Sequence, residues 1–412
     1  MSRRRTGYIF VQALAAVAVL VALLAMLAAD QRAASQEVQD RLRLRRAEAA
    51  ADAAVARALA TLQNADPSRV TLNDDWAALG EGGGDAFDLG DGAAFRVQVV
   101  DAGSQVNVNT APAPQLQRLP LSPAQADCLL DWREPGAGPR ADGAKDGYYN
   151  ALPQPYNARL GPLATLDELL LVRGWTAQML YGTTNPDTSA PPLTDALGNA
   201  QPLAAFLTVD SGAPNTRPDG TPRLNLSQGG ADAGALTQLG LSPVLAGQIG
   251  SRPFKSFQEL FSTPGMTPDA AGRLLDAVTF TGDQRVLGKI NVNTADQSVL
   301  ETIPDMTADI AAAIVAQQAA GFDGLAQLAA VPGMTPQVLA QVADAVTVGG
   351  DTWIVRAYGR SGGVGVAVEA TVGLRGGRPQ VVTWERLRTA GVPAWWGWDD
   401  AEGATVDARG GR

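Results

Sequence analysis

Histidine is absent from the 412-residue chain and cysteine occurs once. Without imidazole there can be no Ser-His-Asp or Cys-His nucleophile pair and no His-ligated zinc or iron, which leaves carboxylate dyads and oxygen-ligated cations. No paired-acid hydrolase motif is recognisable, so the chain reads as a non-enzyme with no catalytic residues. Basic residues are also in deficit: 32 Lys and Arg face 42 Asp and Glu, a formal net charge of −10. That balance argues against a general binder of nucleic acid or anionic membrane, both of which require clustered cations. The lone Cys128 cannot form an intramolecular disulfide, and within QADCLLDW it reads as a buried small hydrophobe rather than a reactive thiol. Gly (45) and Pro (26) are plentiful, yet a hydrophobic content of 46 % over this length is enough for two or three domains with real cores.

One long apolar run is present. Tyr8 to Ala29 carries no formal charge over 22 positions. At about 1.5 Å per residue a helix of that length crosses a hydrocarbon layer of about 30 Å. Arg3, Arg4 and Arg5 precede it, which by the positive-inside rule puts the N-terminus in the cytoplasm and the bulk of the chain in the periplasm. The competing reading is a cleaved secretory signal, whose apolar region is normally shorter. From Asp30 to about Gln63 the sequence is polar but rich in Ala, Arg, Gln and Glu, without Pro or Gly, so the helix is expected to continue as a stalk of about 55 residues in all. Leu42, Val55, Leu59 and Leu62 are its expected apolar face.

The interior repeats itself. QVNVNTAP at Gln105 is echoed by RLNLSQ at Arg223 and KINVNTAD at Lys289, and the three units close on LVRGWT, TPGMTP and VPGMTP. Residues 263–278 and 331–346 agree at eight of sixteen positions. The Asn-x-Asn phrases suit local backbone bonding at strand-to-helix corners better than a ligand role, and Thr294 with Gln297 fits a capping box. Ahead of the repeats lie a Gly- and Asp-rich loop, Gly80 to Gly92, and a strand, Phe95 to Val100. Between the first two units, Thr183 to Pro222 reads as a long connecting loop. After them, alternation predicts three strands starting at Thr352, Val364 and Pro379, which can complete a sheet with Phe95 to Val100. The tail from Thr389 holds Trp395, Trp396 and Trp398, either a partner patch or packing against the last strand.

Two resemblances follow. A basic leader ending in Gly7, then Tyr8 and a membrane helix, resembles the class III signal of type IV pilins and type II secretion pseudopilins. The resemblance implies cutting by a prepilin peptidase between Gly7 and Tyr8, with N-methylation of the new terminus. It also implies a filament-assembly role for the fifth mature position, Gln12, where most of the family has Glu. A neutral residue there looks like the K-type minor pseudopilin, although Gln12 also reads as a polar residue satisfied against another helix. The stretch from Leu129, with its Asp-Trp, Tyr-Tyr and LDELLLVRG segments in order, is similar to the same general secretion pathway protein K family. What this implies is an α+β protein with a long N-terminal membrane-spanning helix and a pilin-like α/β domain interrupted by a large α-helical domain of helix-hairpin-helix-like repeats. The expected divisions are a leader (1–7), membrane helix (8–29), stalk continuation (30–65), pilin-like domain (66–104 and 350–388), inserted domain (105–349, units 105–182, 223–280 and 289–348) and tail (389–412). The implied place is the bacterial inner membrane, single-pass, at the tip of the pseudopilus. There the subunit would help initiate or cap assembly for export of folded proteins across the outer membrane. Implied partners are the I- and J-type minor pseudopilins, other pseudopilins, the prepilin peptidase and the inner-membrane secretion platform. Calcium is the one implied cofactor, a structural ion held by Asp131, Glu134, Asp142 and Asp146; a solvated acidic loop is the other reading, since Arg133 and Lys145 lie among those residues.

The repeats also resemble the helix-hairpin-helix modules of competence-type DNA receptors, so a membrane-anchored DNA-binding protein is the alternative. DNA-binding hairpins offer Gly-x-Gly backbone amides and nearby cations to phosphate. Here the first hairpins read LPLSP, LGLSP and IPDMT, and Ile290 to Val348 contains no Lys or Arg but six Asp and Glu. No nucleic-acid partner is therefore expected.

Overall fold

A single helix, α1 (Arg4–Leu62, 59 residues), leads the chain. The computed structural model describes residues 4–136, 138–195, 197–389 and 391–398, with side chains from Phe10 onward. The first three residues of the expected leader and the tail beyond Trp398 lie outside the described residues. α1 is unbroken because its interior from Tyr8 onward holds neither Pro nor Gly, and it is the one helix among the described residues long and apolar enough to span a bilayer. Apolar side chains from Phe10 to Leu27 stand exposed, while Ala47, Ala50, Ala51, Ala54, Val55, Ala58 and Leu62 are buried. Leu42, expected on the packed face, is 48 % exposed, because the helix meets the globular part about one turn later, and it meets it through alanines.

Those alanines lie on a five-stranded antiparallel sheet of β1 (Ala86–Gly90), β2 (Ala93–Asp101), β3 (Thr352–Ser361), β4 (Val364–Arg375) and β5 (Arg378–Leu387), ordered as numbered. Val97 and Val99 of β2, Val355 and Ala357 of β3 and Val368 and Ala370 of β4, alternate residues on one face of the sheet, share the core with α1, while Ile354 and Ala367 are buried on the other face. The strands expected at Phe95, Thr352, Val364 and Pro379 are all present. β1 was expected as loop: its Gly and Asp content hides a strand that pairs Phe87 with Phe95 and stacks their rings 4.9 Å apart.

Between β2 and β3 lies a second core, running from Val106 to Val348. Its helices of seven or more residues are α2 (Pro123–Arg133), α3 (Pro243–Gly250), α4 (Pro268–Ala277), α5 (Ala308–Gln317) and α6 (Pro336–Val342). Each begins after a Ser or Thr whose hydroxyl accepts an amide three residues on: Ser122, Ser242, Thr267, Thr307 and Thr335, at 3.2–3.4 Å. Every repeat is tied end to end by a two-residue parallel pairing: Val106–Asn107 with Leu207–Thr208, Leu224–Asn225 with Val278–Thr279, and Ile290–Asn291 with Val346–Thr347. The segment 183–222 is therefore not mere connection. Its apolar stretch Leu203 to Val209 closes the first unit, and Gly212–Pro214 pairs with Arg285–Leu287.

The expected Thr294–Gln297 capping box does not form. Thr294 donates instead to Asp101 at 2.7 Å and Gln297 to Glu301 at 2.8 Å; a full capping box occurs at Ser122 and Gln125. The whole is an α+β fold.

Candidate functional site

The Asn-x-Asn phrases come first, because they set the corners from which everything else is hung. Asn107, Asn225 and Asn291 each accept the amide two residues ahead at 2.8–3.0 Å. Asn109 then clamps Leu163, taking its N–H at 2.7 Å and donating to its carbonyl at 2.9 Å, and Asn293 does the same to Phe322 at 2.7 and 3.0 Å. Their oxygens are spent on backbone amides, as the local reading predicts, while the Asn107 and Asn291 nitrogens also reach the side chains of Ser211 and Asp101.

α2 carries the Asp-Trp segment on its last turn. Trp132 is buried and meets Tyr149 edge-on at 5.1 Å and Tyr156 at 6.2 Å. Its indole N–H donates to Glu168 at 3.1 Å, and Glu168 also receives Arg159 at 3.0 Å and the Ala164 amide at 3.0 Å. Tyr149 is fully buried, and desolvation pushes its phenol up to about 12. The Asp-Trp, Tyr-Tyr and LDELLLVRG segments thus converge on one aromatic cluster.

Asp131, 1 % exposed, faces the loop that follows. Its Oδ2 accepts the Arg140 amide at 2.9 Å and its Oδ1 the Arg140 guanidinium at 2.7 Å. Arg140 also reaches Glu134, whose carboxyl is held below its usual range: burial opposes this, but the Arg140 bond and the charges of Arg140 and Arg133 prevail. Lys145, 6 % exposed, sends its ammonium to the carbonyl oxygens of Asp131 and Glu134 at 2.6 and 2.5 Å. Arg133 turns away to the carbonyls of Val108 and Ala111. Asp142 is exposed, and Asp146 accepts the Ala158 amide at 2.7 Å. The four residues expected around calcium are accordingly not brought into one group, and among the described residues no cluster of three or more His, Cys, Asp or Glu is placed to hold a metal.

Residues 104–184, which contain this cluster and its loop, match the family model of type II secretion system protein K. This segment, called the K domain below, is similar to type II secretion protein K. It covers most of the first repeat unit, which closes at Thr208, and the resemblance to K-type minor pseudopilins read from the same residues holds there. Residues 287–347, the third unit, match the model of the helix-hairpin-helix motif. Among solved structures the chain is similar to a chain of the crystal structure of the GspK-GspI-GspJ complex from the type 2 secretion system of enterotoxigenic Escherichia coli, at 16 % identity and a TM-score of 0.49, over 87 % of this chain and 100 % of that one. No curated protein matches the sequence.

The K domain and the third unit are fastened to the five-stranded sheet and its flanks by contacts that sequence reasoning missed. Asp101, at the end of β2, receives Asn291 and Thr294 of the third unit. Arg285 holds Asp351 at 2.7 Å, Asp210 at 3.0 Å and the Thr352 hydroxyl at 2.7 Å. Trp395 packs on Tyr181 of the K domain at 4.5 Å, while Trp396 is buried and donates to Glu369 of β4 at 3.0 Å. The described part of the Trp tail packs inward, on β4 and on Tyr181 rather than chiefly on the last strand. Gln12 lies exposed on the apolar half of α1, and Gly7 and Tyr8 fall within the same helix.

Proposed function

We propose that this chain is the minor pseudopilin at the tip of a type II secretion pseudopilus, where it initiates or caps assembly. The observation that carries the reading is the K domain's position: it sits inside an insertion of about 250 residues between β2 and β3 of a sheet that rides on one membrane-grade helix. The apolar half of α1 enters a helical filament bundle in the inner membrane. The insertion on the sheet's far end obstructs a subunit from being added above it, and Gln12 withholds the carboxylate that other subunits carry at that place. In this reading I- and J-type minor pseudopilins are its neighbours, the prepilin peptidase frees Tyr8 from Gly7, and the globular part faces the periplasm.

N-terminal mass determination on protein extracted from membranes tests the processing step. A chain beginning at methylated Tyr8 supports the reading, and one beginning near Asp30 overturns it. Co-purification with I- and J-type subunits tests position, and its failure in a correctly processed chain would leave a pseudopilin without a tip role. DNA binding is the weaker reading despite the helix-hairpin-helix match, because the matched unit has no Lys or Arg from Ile290 to Val348 to meet phosphate.

A further inference from the structure

Calcium takes about six to eight oxygen ligands at roughly 2.3–2.6 Å. The oxygens that the Asp131 loop could offer are already committed. Both Asp131 carboxylate oxygens accept from Arg140, and the two carbonyls that converge beside it accept from the Lys145 ammonium. Glu134 is paired with Arg140 and lies 3.6 Å from Arg133. No space is left on the remaining side either: a Cβ on Gly143 would stand 1.9 Å from Asp131 Oδ2, so backbone already covers that oxygen. Asp146 is spent on Ala158, and Asp142 points to solvent. A divalent ion entering here would meet an ammonium at the point where the carbonyls converge.

We propose that Arg140 and Lys145 form an internal cation latch that closes the Asp131–Asp146 loop in place of a divalent ion, making the order of the K domain independent of calcium. The two side chains divide the work by their chemistry. Arg140 presents a planar fork that bridges the Asp131 and Glu134 carboxylates. Lys145 is a compact charge with three donors, which suits a converging pair of carbonyl oxygens. Two buried or half-buried carboxylates are thereby neutralised by the chain itself, and the loop closes on folding rather than on meeting an ion. The latch holds whatever place the subunit takes in a filament.

Hydrogen exchange of the full-length protein in detergent, with chelator and then with millimolar calcium chloride, tests it at the amide of residue 140, which is bonded to Asp131. Exchange in the unaltered chain is expected to be the same in both solutions. In an Arg140→Gln, Lys145→Met double variant it is expected to rise by about tenfold or more, the scale of a lost charge-assisted hydrogen bond. Slower exchange with calcium in the unaltered chain, or full protection in the double variant, overturns the proposal. If the double variant does not fold, Lys145→Met alone carries the same comparison. Asp142→Asn separates the readings further: the latch leaves its exchange unchanged in both solutions, whereas a calcium ligand at this position would make protection fall only when calcium is present.

Discussion

The amide nitrogen of Asn291 lies 2.8 Å from Oδ2 of Asp101, and both side chains are buried. This contact joins the third repeat to the last residue of β2, on the edge where the insertion leaves the sheet. The same Asn291 nitrogen donates to the Val70 carbonyl at 3.0 Å, and Asp101 gathers the Thr294 hydroxyl at 2.7 Å and the Gly103 amide at 2.9 Å. Burial holds the Asp101 carboxyl above its usual range, a rise that the bonds from Thr294, Asn291 and Gly103 offset only in part and that the charge of Asp351 adds to. All three partners are donors, so the group they fit is the acceptor-only carboxylate.

Asp101→Asn therefore replaces one acceptor oxygen with an NH₂ that faces donors. The expected loss is about 1–3 kcal/mol of stability, the cost of a buried polar group left unsatisfied. Urea unfolding of the full-length protein measures it. A midpoint equal to that of the unaltered chain would mean that the junction does not depend on this carboxylate.

How much of this was legible beforehand depends on the range of the interaction. Local patterns carried the long helix, since nothing between Tyr8 and Leu62 interrupts it, and the alternation in TWIVRAYGR and VGVAVEATVGLR carried β3 and β4. The Asn-x-Asn corners were equally readable because their bonds close within two residues. β1 was not, because AFDLG sits between glycine clusters that signal turns and is held by its pairing with β2 and by the packing of Phe87. The Thr294–Gln297 motif failed for a related reason: a hydroxyl that could cap its own helix found Asp101, 193 residues away, instead. In the candidate site, Arg133 and Lys145 stood out as cations among acids. Arg140, which binds two of those acids, did not, since its role comes from a loop that folds it back onto α2.

Cys128 offers a check on the second core. It is 1 % exposed, and desolvation raises its thiol to about 11. At pH 8 the thiol is protonated and covered, so iodoacetamide is expected to leave the native protein unmodified and to label it fully in denaturant. Native labelling at a rate near that of a free thiol would show that α2 opens readily.

Lys289 supplies a pH dependence. Desolvation, and then repulsion by Arg223, lower its amine to about 8, with Asp344 acting the other way. Below pH 8 the amine is charged in both folded and unfolded chains, and the fold bears the full cost of that charge. Between about 8 and the unfolded value near 10.4 the folded chain has released a proton that the unfolded chain still holds, so this group's contribution to stability rises with pH. Denaturation midpoints across that window should rise more for the unaltered chain than for Lys289→Met. Equal slopes would place the ammonium in water.

Gly359 in β3 sets how closely α1 lies on the sheet. A Cβ there would stand 2.1 Å from the Ala47 carbonyl oxygen and 2.4 Å from the Ala51 nitrogen, both atoms of the helix backbone, which cannot swing aside as a side chain can. The buried alanines at 47, 50, 51, 54 and 58 and this glycine are two halves of one fit, small residue against bare backbone. Gly359→Val should therefore lift the helix from the strand and cost about 1–3 kcal/mol or more, as overpacking does in a tight core. Gly247→Ala is the control. That glycine lies within α3 with nothing inside 4 Å of its added Cβ, so the change should stabilise by roughly 0.5–1 kcal/mol through helix propensity alone. Thermal melts of the two variants are expected to move in opposite directions. A Gly359→Val melt unchanged from the unaltered chain would mean that α1 is held to the globular part by its far end at Leu62 and not by the alanine face.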